Sequence, residues 1–114
     1  KWTAKEVLGH IIDTDRIMTF RALCFARGEK ASLPGFDQDQ YVATADFNLI
    51  PLSTLLEDFE LSRKALVSLL NYLPESSYSN IGNANGFQVS VRALFHIIAG
   101  HAQHHLNVLR QKYA

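Results

Sequence analysis

The sequence predicts an all-α protein, a helical bundle in which three long helices are readable. Three observations carry this. Residues 4–27 contain nothing that stops a helix except Gly9, residues 52–73 repeat apolar side chains at helical spacing, and no proline or turn signal interrupts Val91 to the chain end. The 114 residues suffice for one domain, 1–114, around one hydrophobic core.

The first helix is announced by Thr3 with Glu6 three residues later, a pairing that satisfies two unpaired backbone N–H groups at a helix start. Gly28 supplies its stop. Residues 28–50 hold Gly28, Pro34, Gly35 and three aspartates without sustained periodicity, so a long loop is expected there. A connection of that length usually has a purpose, such as walling a site. Its aromatics Phe36, Tyr41 and Phe47 either line a pocket or anchor the loop. Pro51 suits the first turn of the second helix, whose stripe runs Leu52, Leu55, Leu56, Phe59, Leu66, Leu70 and Leu73. Arg63 falls within that stripe as a snorkelling side chain. The Asn85-Gly86 step marks a small hairpin before the last helix, which Ser90 can cap.

Composition narrows the function classes. Eleven basic and eleven acidic residues cancel, leaving no electrostatic footprint for nucleic acid. No apolar run reaches the roughly 18 residues that a membrane span requires. The single Cys24 excludes an internal disulfide, reads as a core residue rather than a nucleophile, and suits a reducing, cytoplasmic compartment.

Four of the five histidines lie within ten residues, His96 to His105. At about 100° per residue, Leu94, Ile98, Val108 and Leu109 define the inward stripe of the last helix, with His101 and His105 near its centre. His104 lies roughly 80° away at the edge, and His96 points toward water. An i, i+4 pair on one face can reach a single metal ion. The alternative is two core histidines bonded to neighbours. Between them stands Ala102-Gln103-His104 with no glutamate, which removes the zincin protease reading. His10, mid-way along the first helix and flanked by Glu6, Asp13, Thr14, Ile17 and Arg21, can complete a three-histidine site if the two helices are neighbours. Three protein ligands leave an open position, the arrangement of catalytic rather than structural sites.

"KWTAKEVLGHIIDTDR" at the start and "HIIAGHAQHHLNVLRQKY" at the end resemble the DinB-like superfamily, also called the YfiT-like metal-dependent hydrolases. Trp2, His10, His101 and His105 match the family pattern in order and spacing, and the likeness covers essentially the whole chain. The resemblance implies a DinB-like up-down bundle of four helices holding a divalent metal, zinc or nickel, on three histidines. It also implies a thiol-dependent transferase or isomerase using bacillithiol, mycothiol or glutathione as co-substrate, or a hydrolase, acting on a small molecule. In the family a further helix precedes the tryptophan. This chain begins one residue before Trp2, so that first helix is expected to be missing, through truncation or because another chain covers the surface.

Hydrolysis would want a carboxylate as general base, and Glu6 and Asp13, one turn either side of His10, are the candidates. Both read equally well as solvated groups or as partners that orient the ligands. A thiol route would use the 28–50 loop and Arg63 as pocket. The competing function is a metal-binding or dimerising module without turnover. Three helices leave one flank uncovered, and Leu8, Ile12 and Leu23 face away from His10, so a homodimer through the first helix is expected.

Overall fold

A computed structural model describes residues 1–113 and contains four helices and one hairpin: α1 (Ala4–Ala26), α2 (Gln38–Ala45), α3 (Leu52–Tyr72), β1 (Ile81–Ala84), β2 (Phe87–Ser90) and α4 (Val91–Tyr113). Short 3₁₀ turns occupy Phe47–Leu49 and Glu75–Ser79. The start of α1 is as read. The Glu6 amide donates to Thr3 Oγ1 at 3.2 Å, and the Thr3 amide donates to Glu6 Oε1 at 3.0 Å.

The connection after α1 is a loop only in part. Asp37 Oδ1 accepts from the Asp39 and Gln40 amides at 3.0 and 3.2 Å, and this cap starts α2. Within α2 only Val42 is buried, so the helix carries no periodic apolar signal that sequence reading could detect.

The pairing of side chains fixes helix direction. Leu8 and Ile12 meet Leu55, Arg16 meets Asp58 and Asp15 meets Arg63, so numbers rise together and α1 runs parallel to α3. Val7 and Ile11 instead pack on Ala102 and Leu106, while Ala22 and Phe25 pack on Val91 and Leu94, so α4 is antiparallel to α1. α1 and α3 therefore run parallel, with the short α2 between them in the chain. A 23-residue helix is about 35 Å long. Residues 27–51 carry the chain back over that length, which explains a connection too long for a simple turn.

The hairpin is in place, pairing Ile81 with Ser90 and Ala84 with Phe87. Asn85 (φ 53°) and Gly86 (φ 82°) both take the left-handed conformation that a two-residue hairpin turn needs. Leu33 bridges to its edge, with the Leu33 amide donating to Asn83 O and Leu33 O accepting from the Asn85 amide, both at 2.9 Å. Ser90 Oγ then caps α4 through the Ala93 amide at 3.0 Å.

Leu8 and Ile12 do not await a partner chain. Val42, Phe47 and Leu55 cover them within one cluster, because α2 and the turn after it fold across that flank. Phe47 is thus an anchor, its ring lying flat on Gly9, where a Cβ would come within 2.5 Å of three ring carbons. Gly9→Ala is expected to displace this segment and destabilise the fold by about 2 kcal/mol. Gly100→Ala, with nothing within 4 Å of the added methyl, is expected to stabilise α4 by about 0.5–1 kcal/mol. Urea midpoints moving in the same direction would contradict this pair.

Arg63 does not snorkel freely. Its Nε donates to Asp15 Oδ2 at 2.8 Å and its Nη2 to Oδ1 at 3.2 Å, and the guanidinium lies 5.1 Å from the Phe59 ring centre. Asp15 is 3% exposed, and burial holds its carboxyl above the usual range despite this partner.

Candidate metal centre

The antiparallel packing of α1 on α4 brings the first and last parts of the chain together at His10, His101 and His105. His10 is buried and the other two are half-buried. His101 Nε2 lies 3.1 Å from His10 Nε2 and 3.1 Å from His105 Nε2. One atom from each ring falls within 4.8 Å of the others. Ligands about 2.0–2.1 Å from a tetrahedral ion sit about 3.3 Å apart along a tetrahedron edge, so the observed spacing fits one ion held by three nitrogens. A proton shared between two rings would account for one such contact; three converging nitrogens call for a common partner.

Each ring has a local reason for its orientation. The wheel that put His101 and His105 one turn apart on the inner face is the one observed, flanked by buried Ile98 and Ala102. His10 Nδ1 faces Thr14 Oγ1 across a long 3.5 Å contact, leaving Nε2 turned to the cluster. The Trp2 ring lies 4.9 Å from the His10 ring, centre to centre. His101 Nδ1 is buried and finds no partner among the described residues, so ring contacts with His10 and His105, at 4.9 and 4.5 Å, hold it instead.

The site keeps its imidazoles neutral. Burial lowers the pKa of His10, and the charge of His105 lowers it further, while Asp39 opposes both. Burial, then repulsion from His105, His10, His104 and Arg63, brings His101 down to about 4. His105 is lowered by burial and by His104. Neutral imidazole is the metal-binding form, so this electrostatic environment favours coordination.

A pH dependence follows for the metal-free protein. These histidines protonate near 6.5 when unfolded and lower when folded, so unfolding takes up protons as pH falls below about 6.5. Stability should be level near pH 7.5 and fall toward pH 5, His101 contributing on the order of 1–2 kcal/mol. Asp13 and Asp15, raised by burial, act oppositely as the carboxylate range is approached. A urea midpoint unchanged between pH 7.5 and pH 5 would contradict the assignment.

The other nominated residues separate. His104 is exposed, its ring 5.2 Å from that of His105, and His96 is exposed; neither joins the cluster. Glu6 is engaged in the helix cap, and the Thr3 backbone hydrogen bond holds its carboxyl below the usual range. Asp13 is half-buried; burial raises its carboxyl pKa, with Arg16 lowering it and Asp58 raising it. Neither carboxylate places an oxygen in the cluster. Asp39, in the first turn of α2, was missed, although its charge reaches His10. Nothing in the sequence signals it, because the helix carrying it is not itself legible.

The chain is similar in sequence to known proteins. The description of the DinB superfamily matches residues 1–109. A protein of Oceanobacillus iheyensis, provisionally named a metal-dependent hydrolase, is 30% identical over 107 residues. That alignment takes in 92% of this chain and 61% of the relative, so the chain spans about three-fifths of the relative's length. No helix among the described residues is long and apolar enough to cross a membrane. With the three histidines gathered from its two ends and the match running nearly end to end, this chain belongs to the DinB superfamily.

Proposed function

We propose that the chain carries the metal centre of a divalent-metal-dependent enzyme acting on a small molecule, with His10, His101 and His105 holding zinc or nickel. The observation that carries this reading is the pair of 3.1 Å Nε2 contacts centred on His101, made by imidazoles whose surroundings keep them neutral. When bound, such an ion supplies Lewis-acid chemistry: it polarises a carbonyl, or favours the ionised form of water or of a thiol.

The chain's own residues supply the setting. Thr14 and Trp2 orient His10, and the α1–α4 packing excludes water from one side of the cluster. The charge of Asp39 reaches His10 and opposes the lowering of its pKa, and among the described residues no carboxylate takes the general-base place sought in Glu6 and Asp13. A thiol-dependent transferase or isomerase, with bacillithiol, mycothiol or glutathione as co-substrate, fits the family; a hydrolase fits the name of the relative. The proposal includes a cytoplasmic setting, consistent with the unpaired Cys24. It also includes a homodimer, for which α3 exposes Leu52, Leu56 and Val67 and α1 exposes Phe20.

The test is elemental analysis of protein purified without an affinity tag, followed by turnover assays with each thiol and with simple esters. About one zinc or nickel per chain, with turnover lost on chelation and restored by either ion, is the expected result. Metal well below one per chain, with no gain on adding zinc or nickel, would remove the reading. Full loading without turnover in any assay would establish a binding module in place of an enzyme.

A further inference from the structure

Arg21 is a buried cation without an anion. It is 7% exposed, yet among the described residues its guanidinium meets only neutral acceptors: Nη2 donates to Pro34 O at 2.9 Å, and Nη1 approaches Met18 Sδ at 3.6 Å. No carboxylate contributes to its titration, which is shifted downward by burial alone. A thioether is a weak acceptor, and a guanidinium has five N–H donors in a fixed fork. Two of its nitrogens have neutral acceptors, and no anion among the described residues neutralises its charge. A tether for Pro34 would need no charge, and an uncompensated buried charge is strongly unfavourable.

Arg21 lines a cleft of about 130 Å³ between α1 and the connection, with Ile17, Leu33, Phe36 and Tyr41 among its walls. Phe36 and Tyr41 hold each other at 5.1 Å between ring centres. Two aromatics that could as well have been simple loop anchors are therefore cleft walls. An apolar cavity of roughly 150 Å³ accepts benzene. This cleft, open to solvent where Tyr41 is 43% exposed, has a similar volume, and Arg21 on its wall supplies a cation suited to a planar anion.

We propose that this cleft is a binding site for a small organic carboxylic acid, whose carboxylate pairs with Arg21 and whose hydrocarbon part packs on Ile17, Leu33, Phe36 and Tyr41. Arg21 follows His10 by eleven residues, which brings it within about 20° of the same face of α1 and about 16 Å further along it. The acid site thus lies along the stripe that carries the metal centre, but the inference does not depend on a metal.

Benzoate is the probe, titrated by NMR into the full chain after treatment with chelator, so that failure of the metal reading cannot affect the result. Benzoate is expected to shift the amides of Ile17, Leu33 and Tyr41, and neutral benzyl alcohol to bind at least about tenfold more weakly, since a charge-assisted hydrogen bond contributes roughly that much. Arg21→Met should weaken benzoate by a similar factor, with Arg21→Lys retaining part of the affinity. If Arg21→Met does not fold, the benzoate and benzyl alcohol comparison on the unaltered chain still decides. No shifts at those residues with benzoate at tens of millimolar, equal binding of the alcohol, or full affinity in folded Arg21→Met would each overturn the proposal.

Discussion

His101→Ala is expected to remove nearly all tightly held metal, while His96→Ala leaves the metal content unchanged. The Nε2 of His101 lies 3.1 Å from those of both His10 and His105, so its loss removes one of three nitrogens that converge on the proposed ion and leaves only two. Losing a group that merely orients a ligand weakens metal binding 10- to 100-fold, so removal of a proposed ligand itself should exceed roughly 100-fold. His96, exposed and outside the cluster, is the internal control because it tests the helical register. Metal content and zinc titration calorimetry on both variants decide the matter. Equal loss from the two would mean that α4 is rotated from the arrangement described.

The second large effect concerns stability. Arg63→Met strands the Asp15 carboxylate, 3% exposed, without its bidentate partner. Breaking a buried pair by removing one member costs about 3–5 kcal/mol, and Arg63→Met should come near the lower figure, lowering the melting temperature by about 10 °C. Asp15→Asn should cost only about 1 kcal/mol. The Arg63 side chain is 28% exposed against 5% for Asp15, so a released guanidinium can turn toward water where the carboxylate cannot. Replacing both by apolar residues of similar volume should recover most of the loss. Equal destabilisation by the two single substitutions would show that the pair is more solvated than its geometry indicates.

Much of this molecule was legible before its structure. The three long helices follow from uninterrupted periodicity, the hairpin from one Asn-Gly step, and the His101–His105 pair from the angular spacing of side chains on one helix, with His10 joining it only once α1 and α4 are neighbours. What escaped shares a physical cause: it depends on contacts distant in sequence. Asp15 and Arg63 stand 48 residues apart, each inside an apolar stripe, and only the parallel run of α1 and α3 shows that they neutralise each other. That parallel run was itself illegible, because a connection's length does not state which way the chain leaves it. The flank of Leu8 and Ile12 was assigned to a second chain because α2, with Val42 as its only buried residue, leaves no periodic trace. Glu6 satisfied two patterns, helix cap and candidate base, and the structure shows it in the first.

The imidazoles of the cluster are far apart along the chain, His10 lying 91 residues before His101 and still further before His105. An ion bound there is also a cross-link that turns most of the polypeptide into a closed ring. Closing a loop of about a hundred residues removes enough freedom from the unfolded chain to be worth roughly 4–5 kcal/mol in the entropic model used for disulfides. Metal occupancy and global stability are then one quantity seen from two sides. A nick between Leu33 and Thr44 would leave two fragments that the ion still fastens at α1 and α4, so chelation would release pieces from a protein that had seemed whole.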